Sequence, residues 1–89
     1  MAGTIGAEAG NGIGVAGIAG IPGTVKMISG KFLGPNGGDT ADAIDAINYF
    51  IHLKHFHGVN IKALNNSWGG GGYSSLLHAA IIDAANENI

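Results

Sequence analysis

The chain has no cysteine, which removes both a disulfide framework and any thiolate metal site. That absence is compatible with an oxidising or a reducing compartment, so localisation stays unassigned. Charge is also scarce. Only 11% of residues are Asp, Glu, Lys or Arg, against about 25% in ordinary soluble domains. With four basic residues and a net charge of −2, the chain lacks the clustered Lys and Arg that nucleic acid requires. No uninterrupted apolar run approaches the ~18 residues that span a bilayer, so no membrane span is expected. Residues 1–23 are apolar but carry no basic leading segment, and they do not read as a signal peptide.

What is present is apolar surface and glycine. Hydrophobic residues make up 46% of the 89, and seventeen are glycines. The glycines cluster at 3–23, 34–38 and 69–72 without a period, as turns and site loops would. So apolar a chain with so little charge is expected to have much of its surface covered by other protein. A homo-oligomer formed through exposed strand edges or apolar faces is the natural form of that expectation.

Along the chain, the Gly- and Ala-rich stretch 1–23 predicts a short helical piece near its start. A tight loop through Gly10-Asn11-Gly12 and a turn at Pro22-Gly23 follow. Residues 24–33 predict a strand in which Gly30 marks a bulge, and Gly34–Gly38 a loop. Asp39 or Thr40 is expected to cap a helix running to about His57. Asp39 and Asp42 suit its positive end, Ile44, Ile47 and Ile51 form its stripe, and Gly58 stops it. Residues 59–66 predict a second strand. Ser74 is expected to cap a last helix with Leu77, Ala80, Ile81 and Ala84 on one face. After a Gly-rich N-terminal segment this gives a single α/β unit over 1–89, β-α-β-α, with two parallel strands and a right-handed crossover. Two strands alone make a weak sheet.

Three patterns invite chemistry and fall short of it. Gly12-Ile13-Gly14-Val15-Ala16-Gly17 matches the dinucleotide fingerprint, which needs a preceding strand and a following helix to present amides to a pyrophosphate. Neither is expected here, with Pro22 close behind, so the stretch reads as a structural loop. His52, His55 and His57 suggest a metal, yet no acidic or thiol partner completes a set, and imidazoles at a helix end also suit the dipole. Ser74 and His78 stand one helical turn apart, close enough for a nucleophile and base. No third group orients them, and Ser74 as cap is the simpler role. No residue of this chain is assigned as catalytic.

Asn65-Asn66-Ser67-Trp68-Gly69, arriving from the apolar run Val59–Leu64, and the opening Ala2-Gly3-Thr4-Ile5-Gly6 together resemble the middle of a subtilisin-like serine protease. The opening is similar to the tail of the family phrase His-Gly-Thr-His-Val-Ala-Gly, with Met1 where valine would stand. Asn11–Gly17 resembles the loop ending Ile-Gly-Val-x-Gly-Val-Ala. Val25–Leu33 resembles the Val-Lys-Val-Leu strand, and Ser67-Trp68-Gly69 the Ser-Trp-Gly strand end.

The resemblance implies that Ser67, Trp68 and Gly69 line one edge of a substrate cleft and Gly37, Gly38 and Asp39 the opposing edge. An extended peptide would pair between them. It also implies a calcium loop, with the Asn11 side chain and the carbonyls of Ala9, Ile13 and Val15 as ligands. Calcium wants six to eight oxygens, so this would be a partial, weakened site. The family's catalytic histidine would fall just before Met1, and its oxyanion asparagine shortly after Ile89. The chain is therefore expected to be an internal piece of a serine endopeptidase, inactive by itself, whose polypeptide substrate belongs to the full-length, usually secreted parent. The alternative is a non-catalytic, self-associating α/β module.

Overall fold

A computed structural model describes residues 1–89. It contains three helices, α1 (Ala2–Gly6), α2 (Thr40–His57) and α3 (Ser75–Asn86), and no sheet. Helix α2 follows Asp39, whose extended backbone (φ −96°, ψ 150°) turns the chain into the first turn. The Asp39 side chain makes no capping bond, so its contribution there is charge near the positive helix end, shared with Asp42. At the other end Gly58 adopts the left-handed conformation at φ 65°, and its N–H bonds back to the Leu53 carbonyl. Helix α3 has the cap expected of it. Ser74 Oγ accepts the Leu77 N–H at 3.2 Å, closing one of the orphan donors of the first turn.

The two long helices pack on each other and hold the only core. Ile47 from α2 meets Ala80 and Ala84 from α3, with Ile44, Ile51, Leu64, Leu77 and Ile89 closing around them. Small alanines on α3 let the helix axes approach, and Ile47 fills the space left between them. Ile81, expected on this face, is 48% exposed, whereas Ala43 and Phe50 are buried. A stripe read from one turn cannot tell which flank of a helix meets its neighbour. Lys54 ties the ends together, its Nζ donating to the Ile61 carbonyl at 2.9 Å and the Asn88 carbonyl at 3.1 Å. At the same corner His55 Nδ1 lies 3.0 Å from Glu87 Oε1, an exposed pair that adds little.

The N-terminal stretch closes on α1 as a compact loop. Ala9 N–H donates to Gly20 O, Gly17 N–H to Ala7 O and Ile18 N–H to Thr4 O, all at 2.9–3.0 Å. Gly20 is buried, and a side chain there would collide with the Ala7 carbonyl, so this close approach needs glycine.

The α/β expectation is overturned. Residues 24–33 and 59–66 do not form two parallel strands. No backbone hydrogen bond joins them, and the one bridge in the molecule is the Gly34–Gly37 turn. The β-branched pattern signals a segment suited to an extended, half-covered position, but a strand exists only where a neighbour supplies the ladder. Gly30 is accordingly no bulge; a Cβ on it would lie 2.7 Å from Phe50 Cε2, so it is small because Phe50 of α2 packs against its backbone.

The result is a slab of 45 × 33 × 16 Å with a radius of gyration of 14.9 Å, against about 12 Å for a compact chain of this length. Six residues of 89 are buried.

Candidate functional site

The two stretches expected to form opposing edges are brought to one place by Phe32. Its ring stands edge-on to Trp68, centroids 5.2 Å apart and planes at 78°, an arrangement that places ring hydrogens against a π face. Its carbonyl lies directly against Gly38, where a side chain would overlap it. Gly38 and Trp68 therefore flank the same residue, though they sit about thirty positions apart in sequence.

The first edge is shaped by a tight turn. Gly34 N–H donates to Gly37 O at 2.8 Å and Gly37 N–H to Gly34 O at 3.1 Å, with Pro35-Asn36 at the tip. Gly37 sits at φ +87°, a conformation open to glycine and strained for other residues. Asp39 then turns the chain into α2, its carbonyl accepting from Ala43 N–H at 3.2 Å. On the second edge, Asn65 Nδ2 lies 2.9 Å and Oδ1 3.2 Å from Ser67 Oγ. The Ser67 hydroxyl is thus engaged with a neighbour two residues back. The backbone of Ser67, Trp68 and Gly69 makes no hydrogen bond, and Gly70 and Gly71 follow at φ +107° and +73°. Unpaired backbone flanked by small residues is the chemistry by which an extended peptide is held whatever its side chains. Beside Phe32 an open groove of about 600 Å³ runs between residues 29–32 and α2, bordered by Lys31, Asp42 and Tyr49.

The residues expected to ligate calcium, Ala9, Asn11, Ile13 and Val15, fall within the closed loop after α1. Asn11 Oδ1 accepts the Ile13 N–H at 3.2 Å, a local turn that gives the side chain a fixed direction. Gly10, Gly12 and Gly14 all take positive φ, which is what the glycines of this loop are for. The dinucleotide-like pattern over 12–17 lies within the same loop, with no strand before it and no helix after it. The four candidate oxygens fall short of a calcium shell by two or more.

The remaining candidates are accounted for by packing. His52 leans on Phe56 (centroids 4.7 Å) and His57 (5.4 Å), and His55 faces Glu87. His78 lies 6.0 Å from the Tyr73 ring, and no serine hydroxyl is hydrogen-bonded to an imidazole. With Ser74 Oγ committed to Leu77 N–H, Ser74→Ala should lower stability by about 1 kcal/mol through loss of the cap. Circular dichroism melts would read this as a lower midpoint; an unchanged melt would mean the cap contributes nothing. Sequence reasoning missed Phe32. Its place between two glycine-bearing edges has no local signature, because both contacts come from distant parts of the chain.

Comparison with known proteins gives one match. The profile of the subtilase family of peptidases (S8) covers residues 1–89. Neither the curated proteins nor the solved structures contain a significant match. A family profile matched over the whole length agrees with the motif order Thr4-Ile5-Gly6, Asn11–Gly17, Val25–Leu33, Asn65–Gly69, and the chain belongs to the subtilase family.

Proposed function

We propose that this chain carries part of the substrate-binding cleft of a subtilisin-like serine endopeptidase and does no hydrolysis by itself. The observation that carries the reading is the convergence of Gly37-Gly38-Asp39 and Ser67-Trp68-Gly69 on Phe32 in a chain of this family. Hydrolysis by the family's route needs a nucleophile, a base and an orienting carboxylate acting as one unit, with oxyanion donors beside them. Ser67 and Ser74 are hydrogen-bonded to Asn65 and to the Leu77 N–H, and no serine hydroxyl is bonded to a histidine. The contribution of this segment is positioning: unpaired backbone on one edge and a glycine turn on the other hold a polypeptide extended.

The test is amide chemical-shift mapping with an extended apolar peptide, alongside a fluorogenic peptide assay. Shifts at Gly37–Asp39 and Ser67–Gly69 without turnover are the expected result. Shifts confined elsewhere would remove the cleft reading, and turnover abolished by Ser74→Ala would remove the inactive one.

The loop set Ala9, Asn11, Ile13 and Val15 supports a weak calcium site at most, with water supplying the missing ligands. At ten times a millimolar dissociation constant, binding adds about 1.4 kcal/mol, and Asn11→Ala should abolish that gain. A calcium-independent melt would discard the site.

A further inference from the structure

Two of the eight asparagines precede a glycine, in Asn11-Gly12 and Asn36-Gly37. In such a pair no side chain on the second residue shields its backbone nitrogen from the asparagine amide. The fold treats the two pairs differently. Gly37 N–H donates to Gly34 O at 3.1 Å inside the tight turn, so that nitrogen is held. Gly12 N–H makes no hydrogen bond. Asn11 and Gly12 are both exposed, and nothing lies within 4 Å of where a Cβ on Gly12 would stand. The Ile13 N–H donates to Asn11 Oδ1 at 3.2 Å. That bond folds the side-chain amide back over the Asn11–Gly12 peptide and draws electrons from Cγ, the carbon a nucleophile would attack.

We propose that Asn11 is a self-modifying site, which deamidates through a cyclic imide ahead of every other asparagine in the chain. The Gly12 nitrogen loses its proton to hydroxide and bonds to Asn11 Cγ, while the Ile13 N–H faces the oxygen on which negative charge develops. The Cγ–Nδ2 bond then breaks, and Nδ2 takes a proton from water and leaves as ammonia. Water opens the imide at either carbonyl. Attack at Cγ gives aspartate. Attack at the main-chain carbonyl carbon gives isoaspartate, whose backbone runs through Cβ and Cγ. In sum one water is consumed, one ammonia is released, and a neutral amide becomes a carboxylate, adding one negative charge to the chain's −2. The other six asparagines precede Tyr49, Ile61, Asn66, Ser67, Glu87 and Ile89, whose side chains crowd the attacking nitrogen. The N–H groups of Ile61, Glu87 and Ile89 are also held by backbone carbonyls.

The experiment is incubation of the folded chain in mildly alkaline buffer with a chelator, followed over time by tryptic mapping. Asn11 lies alone in the peptide Met1–Lys26, and Asn36 lies with Asn48 in Phe32–Lys54, so the two Asn-Gly pairs are read separately. Met1–Lys26 should deamidate first, about fivefold faster than Phe32–Lys54, with isoaspartate among its products. That factor corresponds to a hydrogen bond of about 1 kcal/mol holding the Gly37 N–H. In denaturant, where neither turn survives, the two rates should converge. Asn11→Gln, whose longer side chain cannot close the same ring, should silence Met1–Lys26 and leave Phe32–Lys54 reacting as before. Deamidation that begins in any other peptide, or proceeds equally in both, overturns the proposal. So does a preference for Met1–Lys26 that persists undiminished in denaturant, because it would then belong to the local sequence and not to the fold. Reaction of Met1–Lys26 at an unchanged rate in Asn11→Gln overturns it equally. None of these outcomes depends on whether the cleft binds peptide or the loop binds calcium.

Discussion

Ile47→Ala is expected to unfold the α2–α3 pair at temperatures where the parent chain is folded. Ile47 is 4% exposed and, with Ala80 and Ala84, makes the whole fully buried cluster. Truncating a buried isoleucine to alanine costs about 2–5 kcal/mol, the spread reflecting how far the site can collapse. Collapse is restricted on the α3 side, where Ala80 and Ala84 offer only methyl groups, so any filling must come from shifts of Ile44, Ile51, Leu64, Leu77 and Ile89. Domains usually hold 5–15 kcal/mol in reserve, and one with six buried residues sits at the low end. At about 4–8 °C per kcal/mol for a chain of this size, the melting midpoint should fall by more than ten degrees. Ile51→Ala, at the half-buried margin of the same cluster, should cost much less. Equal melts for the two variants would show that Ile47 is not the centre of the core.

Gly38→Ala should separate Phe32 from Trp68. The added methyl would overlap the Phe32 carbonyl and crowd Leu33 Cδ2 at 3.2 Å, and relief requires the backbone of Phe32 to move. Forced repacking of this kind costs about 1–3 kcal/mol. Trp68 is the sole tryptophan, so its fluorescence reports the stack directly. A changed emission spectrum and loss of peptide-induced shifts at both edges are expected together. Gly37→Ala is the control. It strains a residue at φ +87° but meets no atom within 4 Å, so it should lower stability while leaving the Trp68 emission in place. If Gly38→Ala leaves both emission and peptide shifts unchanged, the two edges are not coupled through Phe32.

The helices were legible because their signals are local. Gly58 at a left-handed cap, Ser74 three residues before a waiting N–H, and Ile44, Ile47 and Ile51 at helical spacing each act within one or two turns of the residue that carries them. The sheet was misread because Val59–Leu64 and Val25–Leu33 encode suitability for a strand without encoding a neighbour. Neither finds a ladder within these 89 residues, and Val59–Leu64 opens with a tight turn in which the Val59 carbonyl accepts the Ile61 N–H at 2.8 Å. The site divides the same way. The glycine turn at 34–37 and the motif around Trp68 can be read from the chain. Phe32, which brings them together, cannot, since its two contacts are made across long separations. Gly30 was assigned to the backbone pattern, whereas its size answers to the ring of Phe50 on another element.

The unpaired extended segments also decide how this chain should fare among peptidases. An endopeptidase binds its substrate as a single extended strand with free amides and carbonyls, a geometry that most folded proteins hide in helices and ladders. Val25–Leu33 and Lys62–Gly69 already leave their amides and carbonyls free of backbone hydrogen bonds, whereas α2 and α3 would have to unwind first. Limited digestion of the monomer should therefore cut first in these two stretches and spare the helices, so that a chain from a family of protein-cleaving enzymes is itself shaped to be cleaved.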